Sequence, residues 1–383
     1  MTTYESKGPK FDDGNYLGFH HVTFWVSNAK QAAMFYTTRL GFKAAAYRGL
    51  ETGHRDVVTH VVRKNKTVFA FQSALTPGNT AMADFLSMHG DAPRDVAFEV
   101  DDARAIFAGA VARGARVVRE PWEETDDDGT AVFATIGVYG DIVHTFVQRS
   151  GYGGAFLPGY AAPRFVDPLQ DMLPDVPTDF IDHFVANQPD GSMTPVADQY
   201  LHQLGFHRYW SVDDSQVYTE YSALRSIVMA DYDETIRIPI NEPANGLKKS
   251  QVQEFVDFNG GAGVHHIALH TDDIVAATAA VRARGTDILP VPPLYYDNLK
   301  LRLATSACKV SEDIDVLKSL QILVDYDEGG YLLQVFTQPC QDRPTFFIEL
   351  VQRKNHLGFG VGNFKAVFEA MERGQAERGT LDF

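Results

Sequence analysis

The sequence is poor in cysteine, in positive charge and in long apolar runs, and each shortage removes a class of protein. Only Cys308 and Cys340 occur among 383 residues. Two cysteines are too few for a disulfide framework or a thiolate zinc site. They suit a reducing compartment and predict a cytoplasmic location. Lys and Arg total 34 against 50 Asp and Glu, a net charge of −16. So acidic a chain predicts no nucleic-acid partner, because few groups could replace phosphate counterions. It also predicts no stable association with an anionic membrane. No apolar run reaches the roughly 18 residues of a membrane-spanning helix. The polar start, Met1 to Tyr16, has no signal-peptide core. What is plentiful is apolar: 45% hydrophobic and 12% aromatic residues exclude a disordered chain. The length predicts two or three domains at about 150 residues each.

A long-period repeat organises the chain. Residues 19–42 and 180–206 each begin with a His-bearing strand pattern and pass into a helix ending at Leu-Gly-Phe (Leu40-Gly41-Phe42 and Leu204-Gly205-Phe206). Glycine there suits a helix C-terminus, where positive φ is needed. Residues 95–118 and 266–289 form a second pair: a strand, an Asp-Asp helix start, and an alanine-rich helix closing on Arg-Gly. The Asp pair is a natural N-cap with favourable charge at the positive helix end. A weaker pair is HTFVQR at 144–149 and IELVQR at 348–353. The pattern predicts an α+β protein of tandem βαβββ repeats forming two half-barrels. The expected divisions are 1–150, a Gly- and Pro-rich linker over 151–178, and 179–383. The second half adds an insertion over about 290–328 with a helix at 311–320, and a terminal helix over 363–378.

Overlaying the halves singles out three residues. His183 falls on His21, His266 on Asp95 and Glu349 on Thr145. The second half thus offers His, His and Glu on three strands where the first offers His, Asp and Thr. Two imidazoles and one carboxylate form the facial triad of non-haem Fe(II), which leaves positions open for substrate and O2. Taken alone, a strand histidine is ordinarily structural. Glu349 among Phe346, Phe347, Ile348 and Leu350 is costlier to explain that way, since a carboxylate in an apolar strand needs a partner. Strand alternation puts Phe347 with Glu349 on one face, and Gln334 with Phe336 on another shared face. His270 shares parity with His266 but lies about 13 Å along the strand, at ~3.3 Å per residue. His265 has the opposite parity from His266.

Longer motifs then bear on identity. They include VTFWVSNAKQAA at 22–33, INEPANGLKKSQVQE at 240–254, FNGGAGVHHIAL at 258–269, LVDYDEGGYLLQVFT at 323–337, QDRPTFFIELVQR at 341–353 and HLGFGVGNF at 356–364. WSVDD at 210–214 and EYSALRSIV at 220–228 belong with them. With these motifs the chain resembles the 4-hydroxyphenylpyruvate dioxygenase family over essentially its whole length. The resemblance implies the vicinal-oxygen-chelate fold, with Fe(II) on His183, His266 and Glu349. It places Ser226, Asn241, Gln251, Gln334, Phe336, Phe347, Phe359, Asn363 and Phe364 around the substrate. The Phe rings offer apolar faces to a phenyl ring. Ser226, Asn241 and Gln251 can hydrogen-bond a phenol hydroxyl. Gln334 could orient the keto acid. His265 stands where the family commonly has a Gln that contacts the substrate region. A His there is shorter and titratable, and could compete as a ligand or donate a proton.

The implied reaction converts 4-hydroxyphenylpyruvate and O2 into homogentisate and CO2, a step of tyrosine and phenylalanine catabolism. The terminal helix carrying Asn363 and Phe364 is expected to act as a lid. The resemblance also suggests a homodimer. Two alternatives stand beside this reading. One is a 4-hydroxymandelate synthase type, with the same triad and substrate but benzylic hydroxylation. The other is a non-catalytic binding member of the superfamily, which the change at His265 would permit.

Overall fold

The computed structural model describes residues 7–164, 167–212, 223–244 and 246–382. Parts of the WSVDD and EYSALRSIV motifs therefore lie outside the described residues. The first half runs β1 (Tyr16–Trp25), α1 (Ala29–Leu40), β2 (Lys43–Arg48), β3 (Val57–Lys64), β4 (Thr67–Ala74), α2 (Thr80–His89), β5 (Ala92–Val100), α3 (Ala103–Ala112), β6 (Arg116–Asp126), β7 (Gly129–Gly137) and β8 (Val143–Gln148). The second runs β9 (Ile181–Asn187), α4 (Met193–Leu204), β10 (His207–Val212), β11 (Ala223–Ala230), β12 (Arg237–Ala244), α5 (Gln251–Asn259), β13 (Gly263–His270), α6 (Ile274–Ala283), α7 (Pro293–Ala304), α8 (Ile314–Leu320), β14 (Leu323–Tyr326), β15 (Tyr331–Phe336), β16 (Phe347–Lys354) and α9 (Val361–Arg378).

The two sheets repeat one strand order, β2-β3-β4-β1-β5-β8-β7-β6 and β10-β11-β12-β9-β13-β16-β15-β14. Each is a mixed eight-stranded sheet curled into a half-barrel, as the repeat predicted. Register supports the overlay residue by residue. His21 lies opposite Ala97 as His183 lies opposite Ala268. Asp95 pairs with Val143 as His266 pairs with Phe347.

The helix signals act as the sequence suggested. Gly41 and Gly205 close α1 and α4 at φ 75° and 70°, in the left-handed region. Asp102 caps α3 by accepting from the Arg104 and Ala105 amides, and Asp273 caps α6 through Ala276. Elsewhere the structure corrects the reading. The insertion helix begins at Ile314 rather than at 311, because Asp313 caps it through the Asp315 and Val316 amides. The terminal helix begins at Val361, two residues early. The structure also has helices α2, α5 and α7, which the repeat pattern does not predict.

The core runs unbroken between the halves. Phe24 meets Phe346 at 5.2 Å between ring centres, and Phe19 meets Phe184 at 6.0 Å. Tyr200 joins His144 across the same boundary, hydroxyl oxygen to Nε2 at 2.7 Å. Burying each such ring stabilises by about 1.5–3 kcal/mol. The Gly- and Pro-rich stretch after β8 also packs inward. Its Phe156 is 1% exposed and lies 5.2 Å from the His21 ring.

Candidate metal centre

His183 on β9, His266 on β13 and Glu349 on β16 stand on three adjacent strands of the second sheet. One ligand atom of each falls within 4.8 Å of the others. Nε2 of His183 lies 3.5 Å, and Nε2 of His266 3.3 Å, from Glu349 Oε2. The remaining polar atoms of the triad are engaged from behind. His183 Nδ1 is 2.7 Å from Asp182 Oδ1. Arg353 donates to both oxygens of Asp182 at 2.8 Å. His266 Nδ1 is 3.0 Å from His265 Nδ1. Glu349 Oε1 accepts from Gln334 Nε2 at 2.9 Å. With each Nδ1 occupied, each Nε2 lone pair faces the common point, as a metal-binding imidazole requires. The donor set of two nitrogens and one carboxylate oxygen therefore fits a divalent transition metal.

Electrostatics keep the acids ionised. Burial pushes Glu349 up, but the hydrogen bonds and charges of His183 and His266 outweigh it and hold it at about 2. Burial likewise opposes ionisation of Asp182, and the Arg353 charge and hydrogen bonds win, holding it well below the usual range. Burial pulls His183 down, yet Asp182 and Glu349 raise it overall. His266 ends lowered, since burial, helped by the neighbouring charge of His183, outweighs Glu349.

The side chains expected around the substrate line one cavity beside the triad. Ser226 on β11 and Asn241 on β12 are register partners, and Asn241 Nδ2 donates to Asn187 Oδ1 at 3.3 Å. Gln251 is the first residue of α5. Phe336 on β15 pairs with Glu349, and Phe347 stacks on the His266 ring at 4.7 Å and 16°. Phe359 meets His183 at 5.2 Å. Asn363 and Phe364, in the first turn of α9, close the top. The cavity measures about 60 Å³, well below the roughly 300 Å³ of a typical small-molecule site. A roomier cleft of about 320 Å³ lies between α1 and β2–β3 in the first half. It lies away from the triad, so size alone would mislead.

His265 departs from the parity argument. It lines the same cavity as His266. The reason is a β-bulge: Val264 pairs with Ala186 and His266 with Val185, leaving His265 as the extra residue. A bulge re-aims a side chain that strict alternation would turn away. Asp182 and Arg353 were not singled out from sequence. The first half keeps a histidine, His21, at the His183 position, but not the rest of the triad. Thr145 replaces the glutamate and donates to Asp95 at 2.5 Å. Register puts Phe133 where the second half has Gln334.

Comparison with known proteins agrees. The model of the Glyoxalase/Bleomycin resistance protein/Dioxygenase superfamily matches residues 18–138 and 180–335. A 4-hydroxyphenylpyruvate dioxygenase of Danio rerio is 55% identical over 382 residues, covering 100% of this chain and 96% of that protein. One of Caenorhabditis elegans is 53% identical over 383 residues, covering 100% and 97%. Among solved structures, a mutant of 4-hydroxymandelate synthase from Streptomyces coelicolor superposes with a TM-score of 0.81 at 29% identity, covering 94% of this chain and 99% of that one. The chain belongs to the 4-hydroxyphenylpyruvate dioxygenase family, within the glyoxalase, bleomycin resistance protein and dioxygenase superfamily.

Proposed function

We propose that the chain converts 4-hydroxyphenylpyruvate and O2 into homogentisate and CO2, using Fe(II) held by His183, His266 and Glu349. The convergence of those three ligand atoms in the second half carries the reading. Bound there, ferrous iron supplies a redox-active Lewis acid for an α-keto acid and O2. The chain supplies orientation and a dry enclosure. Phe336, Phe347, Phe359 and Phe364 sandwich the aromatic ring, and Ser226, Asn241 and Gln251 address its hydroxyl. Gln334 spends one amide N–H on Glu349 and keeps a second for the keto acid. Asn363 holds the lid helix above it. His265 touches the edge of the substrate space and also backs His266.

In this reading 179–383 is the catalytic unit, 1–150 is its companion without a triad, and 151–178 joins them. The protein acts in the cytoplasm as a homodimer. The free thiols of Cys308 and Cys340 support the first point. The valines exposed on edge strand β6, Val117 and Val118, support the second.

The structural likeness to a 4-hydroxymandelate synthase favours a second reading, with the same substrate hydroxylated at the benzylic carbon. The higher identity to the dioxygenases weighs against it. Chromatographic identification of the product decides. Homogentisate supports the proposal, and 4-hydroxymandelate replaces it with the second reading.

A further inference from the structure

The insertion that lengthens the second half has no counterpart in the first, and the function proposed above gives its helix α7 no task. One side chain on that helix reaches the metal centre through two amides. Glu349, as a carboxylate, can only accept, so the Gln334 group 2.9 Å from Oε1 is its Nε2. That fixes the Gln334 amide with Oε1 facing α9, where Asn363 Nδ2 donates to it at 2.9 Å. Asn363 must then present Oδ1 on its other side. There the Tyr295 hydroxyl lies at 2.7 Å. The Tyr295 oxygen in turn accepts from the Val324 amide at 2.7 Å.

The hydroxyl has one proton and two acceptors within reach, Asn363 Oδ1 at 2.7 Å and Val324 O at 2.9 Å. Asn363 is fully buried. Among the described residues Tyr295 is the donor within reach of Oδ1, so the proton belongs there. An unfilled acceptor at that depth would carry its whole desolvation cost. Every bond in the chain therefore has one direction, set at one end by a carboxylate and at the other by a backbone amide.

We infer that Tyr295 is a positioning residue, whose hydroxyl acts through Asn363 and Gln334 to pin the first turn of α9 and to hold the Glu349 carboxylate in its ligand geometry. The link to Glu349 rests on the metal reading proposed above; the pinning of α9 does not.

The neighbouring Tyr296 provides the control. It lies on the same helix, is fully buried, and its hydroxyl has no hydrogen-bond partner among the described residues. Tyr295→Phe and Tyr296→Phe thus delete the same atom, with and without a bond to lose. Two readouts are compared on the full chain: hydrogen–deuterium exchange of α9 in the metal-free protein, and calorimetric titration with Co(II). Tyr295→Phe is expected to speed exchange in the first turn of α9 about tenfold and to weaken Co(II) several-fold, the scale of one buried hydrogen bond. Tyr296→Phe is expected to change neither. Unchanged exchange in Tyr295→Phe, or equal effects of the two variants, overturns the inference. Faster exchange with unchanged Co(II) affinity overturns the link to Glu349. A wild-type protein that binds no Co(II) instead removes the metal reading, and the exchange arm alone then decides the pinning.

Discussion

Asp182 and His183 are consecutive on β9, yet their side chains meet, Oδ1 to Nδ1 at 2.7 Å. The carboxylate is itself clamped by Arg353, which also donates to the His356 and Gly358 carbonyls ahead of α9. The orientation of the His183 ring and the approach to α9 thus share one buried ion pair. Asp182→Asn keeps an acceptor for the imidazole but removes the charge. Metal affinity is expected to fall about 10–100-fold, the usual cost of losing a partner behind a metal-bound histidine. Asp182→Ala is expected also to destabilise the fold by about 3–5 kcal/mol, because Arg353 is left buried and unpaired. Calorimetric metal titration and denaturant unfolding measure the two effects. Equal affinities in wild type and Asp182→Asn would exclude the positioning role.

Gly360 enters α9 at φ 81°, and a Cβ there would run into the Gln334 amide oxygen. Gly379 leaves the helix at φ 72° with nothing within 4 Å of such an atom. Both positions carry the same left-handed strain, about 1–2 kcal/mol for alanine, but only the first disturbs the amide. Gly379→Ala is expected to lower the unfolding midpoint and keep turnover. Gly360→Ala is expected to lose turnover by 100-fold or more. Similar turnover in the two variants would sink the steric account.

His265 is held neutral well below its ordinary range, first by burial and then by the neighbouring His266. Its Nδ1 serves as the partner of His266 Nδ1. A glutamine carbonyl can accept the same bond. His265→Gln is therefore expected to retain turnover within about threefold, whereas His265→Phe, which cannot accept, loses metal affinity on the scale of other such partners. Because His265 stays neutral above pH 6, wild type and His265→Gln should show superimposable pH–rate profiles from pH 6 to 9. A limb present in one profile only would show that His265 titrates during turnover.

Asp95 occupies the triad position of the first half. Burial raises its carboxyl to about 6, although the two bonds from Thr145 pull the other way. An unfolded aspartate titrates near ~3.9. Below pH 4 both states are protonated and the residue is neutral in stability terms. Between pH 4 and 6 the unfolded chain ionises first, so stability falls as pH rises, by about 3 kcal/mol. Asp95→Asn removes that slope. Denaturant melts should show the variant equal to wild type near pH 4 and more stable at pH 7. A gap of the same size at both pH values would refute the assignment.

The parts legible in sequence were those the repeat could compare. Glu349 stood out because its counterpart is Thr145, and Asp102 and Asp273 marked their helices by local capping chemistry. What escaped had no local signal. The bulge at His265 obeys no period, so alternation misplaced it. Asp182 precedes a ligand on its own strand, where alternation points a neighbour away. Tyr295 sits in an insertion with no repeat partner, and its link to Asn363 spans 68 positions. Helices α2 and α5 fill the matching crossovers of the two halves, but they carry no shared motif to reveal them.

In the function proposed above, the second half of the chain uses a metal held by His183, His266 and Glu349 to oxidise a keto acid with O2. Oxygen uptake by the Fe(II)-loaded protein on addition of 4-hydroxyphenylpyruvate tests it most directly, beside Glu349→Ala at matched folding. Wild type should consume one O2 per homogentisate formed, and Glu349→Ala should consume none above background. Undiminished substrate-dependent uptake by Glu349→Ala, or none by the iron-loaded wild type, would contradict the account.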